Sequence, residues 1–174
     1  MEATLIPHPT SIPHPTSDPT YPEAMTVQFE REGLLLWLRF VIEDNPDFIA
    51  WPPKRPVGRA DDLWKHTCFE AFVATDDGYV EFNLSPSDAW ASYRFDGYRD
   101  GMRPADEAAV VAGLDGGRDY VALEARIELP AGAVRIGLSA VIETIDGEKT
   151  YWALAHPSDK PDFHHPDSFV LDLP

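Results

Sequence analysis

The chain has 174 residues and a formal charge of −16, with 30 acidic against 14 basic side chains. That balance argues against nucleic acid or an anionic membrane surface as partner, since both call for a basic patch. A single cysteine, Cys68, excludes an intrachain disulfide. No apolar run reaches the roughly 18 residues of a membrane span, and no basic stretch followed by an apolar core marks a secretory signal. The expected setting is cytoplasmic.

Residues 1–22 stand apart. Ile6-Pro-His-Pro-Thr-Ser11 is repeated at once as Ile12-Pro-His-Pro-Thr-Ser17. The prolines disfavour helix and sheet alike, so the segment is expected to be an extended, poorly packed tail. It could serve as a docking ligand or, through His8 and His14, as a weak metal tract. The remaining residues, 23–174, form one domain by length.

Residues 24–31 and 34–43 read as a hairpin turning at Glu32-Gly33. Leu34, Leu36, Leu38 and Phe40 share one side, and Leu35, Trp37, Arg39 and Val41 the other. Both sides are fairly apolar, as in an inner strand covered twice. The long stretch from Asp44 to Lys65 carries Trp51 and Trp64. A loop of that length is functional or disordered, and Trp51 could stack on a ligand or cap the domain edge.

Three consecutive strands follow. Residues 67–74 and 79–84 alternate with the period of half-buried strands, and Asp76-Asp77-Gly78 turns between them. With Thr75–Gly78 as the loop, Ala74 faces Tyr79, Phe72 faces Glu81 and Glu70 faces Asn83. Phe69, Ala71, Val73, Val80, Phe82 and Leu84 then form an apolar face. Cys68, Glu70, Phe72, Tyr79, Glu81 and Asn83 form the other. A third strand over Trp90–Asp96 would bring Arg94 to Glu70, Glu81 and Asn83 if the apolar sides coincide. Such a face is either solvated, as charged ladders usually are, or a binding surface whose aromatics are covered or used. Cys68 within a strand reads as a small buried hydrophobe rather than a nucleophile.

Further strands are expected at Ala108–Ala112, Tyr120–Leu129, Val134–Ile145, Thr150–Ala155 and Ser168–Leu173. Turns are expected at Asp115-Gly116-Gly117, Pro130-Ala-Gly132 and Asp146-Gly147. A Pro-rich loop with three histidines spans His156 to Pro166. About nine or ten strands with closely spaced turns and no long helical period indicate an all-β antiparallel β-sandwich or jelly roll.

The runs LWKHTCFEAF, YVEFNLSPSDAWASYRF, YRDGM and HPSDKPDFHHPDSF resemble the DOMON-like proteins, relatives of the family 9 carbohydrate-binding modules, over about residues 24–174. The resemblance implies a β-sandwich that binds sugars or haem. A sugar site needs an aromatic platform and a ring of planar polar side chains. The resemblance carries the platform to Trp64 and the sheet-borne carboxylate to Glu70. Glu81, Asn83 and Arg94 are candidate hydroxyl partners. Phe163 or His164 would have to close the site where the relatives use a second aromatic.

The alternative implied by the family is haem, with Met102, His156, His164 or Lys160 as axial ligands over an apolar pocket. His156, Asp162, His164 and His165 match no zinc spacing well, and calcium held by loop carboxylates is a further possibility. Two carboxylates on one face also fit a glycoside hydrolase, which needs a separation of about 5–5.5 Å or 6.5–9.5 Å. No nucleophile elbow, phosphate loop or metalloprotease motif is present. A non-catalytic module for a small ligand, most readily a sugar, is the expected function. A haem module or a purely protein-binding module is the alternative.

Overall fold

Period-2 alternation sets nearly every element of the computed structural model, which describes residues 1–9 and 22–173. Among the described residues there are thirteen strands: β1 (Glu2–Pro7), β2 (Ala24–Glu32), β3 (Leu35–Glu43), β4 (Gly58–Arg59), β5 (Cys68–Thr75), β6 (Gly78–Leu84) and β7 (Ala89–Phe95). They continue with β8 (Arg103–Pro104), β9 (Ala109–Gly116), β10 (Val121–Glu128), β11 (Arg135–Glu143), β12 (Lys149–Ala153) and β13 (Leu171–Asp172). No described helix is long and apolar enough to cross a membrane.

Hydrogen bonds join the strands in one path, β4-β7-β6-β5-β11-β12-β1-β2-β3-β10-β9, with β13 beside β11 and β8 beside β7. The pairs are antiparallel except β4 with β7. The path folds over until β9 lies against β6 and β7, so the sheet is nearly closed. Phe40 of β3 and Phe69 of β5 meet across the interior with ring centroids 5.1 Å apart. Around them lie Leu36, Leu38, Ile42, Val80, Phe82, Leu123, Ile127, Ile136 and Leu138, all buried. Burial of each such large side chain contributes about 1.5–3 kcal/mol.

β1 departs from the expected tail. Glu2–Leu5 pair with Met25–Gln28 of β2, and Ile6 and Pro7 pair with Ala153 and Trp152 of β12. Leu5 and His8 are buried. The prolines begin only at Pro7, the last residue of β1, so the five residues before it keep their N–H donors. The second repeat, with His14, lies outside the described residues.

β3 is covered once rather than twice. Leu36, Leu38, Phe40 and Ile42 are buried, whereas Trp37 on the other side is about half exposed. The guanidinium of Arg126 lies over its ring at 5.2 Å. Trp51 caps the core: its ring packs on the apolar interior and its Nε1 donates to the Pro46 carbonyl at 3.2 Å.

Candidate functional site

The hairpin β5–β6 adopts the register read from the sequence: Ala74 opposite Tyr79, Phe72 opposite Glu81, Glu70 opposite Asn83. The face turned away from the core thus carries Glu70, Phe72, Tyr79, Glu81 and Asn83. β7 adds Ala91, Tyr93 and Phe95, because Asn83 pairs with Ala91, Glu81 with Tyr93 and Tyr79 with Phe95.

Arg94 is therefore on the opposite side. It pairs with Val80 across the ladder, and its Nη2 donates to Glu107 Oε1 at 2.5 Å. The apolar sides of β6 and β7 do not coincide: Arg94 and Ser92 pair with Val80 and Phe82 of the core face, while Tyr93 and Phe95 pair with Glu81 and Tyr79 of the outer face.

This outer face is covered rather than solvated. The 3-10 turn Leu63–Lys65 and the segment ending in Phe169 close over it, forming a second apolar cluster with Phe72, Tyr79, Ala91, Tyr93 and Phe95. Phe72 stacks on Phe169 with centroids 5.9 Å apart, and Tyr79 stacks on Phe95 at 4.7 Å. His164 stands edge-on to Phe72 and Phe95, each at 5.1 Å. Cys68 is buried beneath, and burial, then the nearby Glu70, pushes its thiol pKa well up. It behaves as the expected small hydrophobe.

The covering segments leave a cavity of about 450 Å³. Its floor is formed by Glu70 and Glu81, buried carboxylates on adjacent strands. Trp64, Phe95, Tyr151 and Phe163 supply aromatic walls, and Arg99, Met102 and His164 complete one side. Trp64 is half exposed, so its indole is accessible to a ligand. Asn83 is fully buried beside the floor, where its Nδ2 donates to Glu81 Oε1 at 2.7 Å. It orients a carboxylate rather than lining the cavity. Glu70 Oε2 accepts from Ser139 at 3.4 Å.

Burial raises both floor carboxyls. For Glu70 the shift is large, burial coming first and the Glu81 charge second. Glu81 is pushed up to about 7, burial outweighing the hydrogen bond from Asn83. Near neutral pH the pair therefore both donates and accepts hydrogen bonds, which suits hydroxyl groups.

Arg99, unremarked in the sequence, anchors one wall. Its φ of 53° is left-handed, a conformation that costs free energy in a residue with a side chain. The Arg99 N–H donates to the Tyr79 hydroxyl at 3.3 Å, and Arg99 Nη2 donates to Asp162 Oδ1 at 2.8 Å. Tyr98 donates to the other Asp162 oxygen at 2.5 Å. Those partners outweigh burial and hold Asp162 below the usual carboxylate range. The YRDGM run, with a Gly after a turn-forming Asp, was the available signal for this corner.

Tyr79 and His164 form a relay to the floor. The Tyr79 oxygen accepts from the Arg99 N–H and shares a hydrogen bond with His164 Nδ1 at 2.7 Å. His164 Nε2 lies 3.8 Å from Glu81 Oε2. Burial, then the charge of Arg99, lowers the His164 pKa to about 4, so the ring is neutral.

The residues do not fit haem ligation. Both His164 nitrogens face partners, Tyr79 and Glu81. His156 lies outside the cavity and donates Nε2 to the Ile6 carbonyl at 2.8 Å, and the floor is a carboxylate pair rather than an apolar slot. Met102 does line the cavity; Lys160 does not. Among the described residues no three His, Cys, Asp or Glu side chains converge as metal ligands.

No family model matches the chain, and no curated protein matches it in sequence. Solved structures do match. A proposed carbohydrate-binding protein from Bacteroides uniformis superposes with a TM-score of 0.64 at 13% identity, over 97% of this chain and 84% of that one. A family 9 carbohydrate-binding module from Caldicellulosiruptor kristjanssonii, solved in complex with cellotriose, gives a TM-score of 0.55 at 7% identity, over 86% and 73%. The chain thus shares an all-β fold with these two structures.

Proposed function

We propose that this protein is a non-catalytic carbohydrate-binding module of DOMON-like, sandwich type, taking a small sugar in the cavity above Glu70 and Glu81. The observation that carries this reading is the pairing of two buried carboxyls on adjacent strands with a half-exposed indole at one cavity. The sugar's hydroxyls meet Glu70 and Glu81, which can donate and accept. Its apolar C–H face packs on Trp64, with Phe163 opposite. Asn83 and the Tyr79–His164 pair fix the Glu81 carboxyl. The structural likeness to a module solved with cellotriose supports the same reading. Arg94 drops out of the site and Arg99 takes its place.

Tryptophan fluorescence during titration with glucose and cellobiose tests this, run beside Trp64→Ala. A saturable change in the wild type that disappears in the variant is expected. A flat wild-type response up to tens of millimolar sugar would overturn the reading.

A further inference from the structure

The cavity inverts the charge balance of the chain. Acidic side chains outnumber basic ones 30 to 14 overall, yet the cavity lining holds three cations, Lys65, Arg99 and Lys149, against the two floor carboxylates. The charges are also separated by depth. Glu70 and Glu81 are buried at the bottom. Lys65 and Arg99 are each 51% exposed at their side chains, at the mouth.

The three cations line one cavity, and two of them already have carboxylate partners. Lys149 Nζ donates to the Lys65 backbone carbonyl at 2.5 Å. Lys65 Nζ lies 5.5 Å from the centre of the Trp64 ring. Lys65 has Asp62 at 3.0 Å and Arg99 has Asp162 at 2.8 Å as counter-charges. Lys149 makes no ion pair with any described carboxylate. An ammonium without a counter-charge at a cavity lined by two further cations attracts an anion.

From this arrangement we infer that the preferred ligand is an anionic sugar, its hydroxyls on the Glu70–Glu81 floor and its acid group at the Lys65–Lys149–Arg99 mouth. The inference rests on the sugar-binding reading above and names the class of ligand within it. The raised floor pKa values support it, since a floor that is partly protonated repels an acidic ligand less. One chemistry, a negatively charged oxygen group on a pyranose, could come from a carboxylate or from a phosphate.

The test is a fluorescence titration of the full chain with glucose, glucuronate and glucose 6-phosphate at pH 7, in 20 mM and 500 mM NaCl. At low salt one of the two acids should bind at least about fivefold tighter than glucose, the scale of a partly exposed charge-assisted contact. That ratio should shrink at high salt and fall below about twofold in Lys149→Met. A lead for glucuronate identifies a carboxylate as the acid group; a lead for glucose 6-phosphate identifies a phosphate. Glucose binding with no advantage for either acid overturns the anionic class and leaves the sugar site standing. An advantage that survives both Lys149→Met and Lys65→Met also overturns it. No response to any of the three sugars overturns the sugar site itself.

Discussion

The Tyr79 hydroxyl and His164 Nδ1 lie 2.7 Å apart, joining a sheet strand to a loop 85 residues later. Tyr79→Phe removes the hydroxyl that bonds His164 Nδ1 and accepts from the Arg99 N–H. Two part-buried groups lose their partner, so the folded state should be destabilised by about 1–3 kcal/mol. Urea denaturation measures that loss, and sugar titration should show weaker binding because the His164 wall is released. An unchanged midpoint with unchanged affinity would contradict the role assigned to this contact.

The floor carboxyls set a pH dependence of stability. A carboxyl with a folded-state pKa above its unfolded value keeps its proton where the unfolded chain has lost it. Its contribution to stability therefore falls as pH rises through that window. For Glu81 the window runs from 4.5 to about 7, a loss of about 3 kcal/mol, and Glu70 acts in the same direction. His164 opposes them: lowered from 6.5 to about 4, it makes stability rise with pH between those values. His156, also lowered by burial, acts with His164, but the two more deeply buried carboxyls leave a net fall from about pH 4.5 to 7. In the double variant Glu70→Gln, Glu81→Gln, stability should instead rise from about pH 4 to 6.5. Chemical denaturation across pH 4–8 checks both slopes, and a rise in the wild type would contradict the burial of the pair.

Arg94 offers a control on the opposite face. Its partner Glu107 carries a buried Oε2 with no hydrogen-bond partner, so Arg94 supplies the compensating charge. Arg94→Met should cost about 1–3 kcal/mol in thermal or urea unfolding, less than a fully buried pair because the arginine is 25% exposed at its side chain. Sugar affinity should stay within about twofold of wild type, since Arg94 is on the far side of β7. A collapse of affinity in a folded variant would place Arg94 back at the site.

Gly137 lets the C-terminal segment lie close on β11. A Cβ there would meet the Phe169 ring at 2.8 Å and the Ser168 carbonyl at 3.0 Å. Gly137→Ala should lift the segment by a few tenths of an ångström and cost about 1–3 kcal/mol. Phe163 and His164 precede that contact in the same segment, so affinity should fall with stability. Equilibrium unfolding and sugar titration of the variant together check this, and full affinity in a destabilised variant would separate the two.

Much of the sheet was legible because strands advertise themselves locally. The β5–β6 register followed from a four-residue loop and two alternating runs, and it placed Glu70, Glu81 and Asn83 together. The sidedness of β7 was not legible, because its more apolar set, Ala91, Tyr93 and Phe95, faces a second apolar cluster on the outer face rather than the main core. The cavity walls were only half visible. Trp64, Phe163 and His164 entered through resemblance, while Arg99, Tyr151 and Lys149 reach the site by contacts between residues far apart in sequence. β1 was hidden by averaging: a proline-dense segment of 22 residues masked five residues at its start that pair normally.

The clasp formed by β1 has a consequence for folding. His156 bonds to the Ile6 carbonyl across 150 residues of chain, and β12 pairs with β1 beside that contact. β1 cannot join this side of the sheet until β12, far along the chain, is in place. Until then the edges of β2 and β12 present unpaired backbone groups to the surroundings. Such long-range closure is slow, so the folding chain is most exposed to aggregation before β1 and β12 meet.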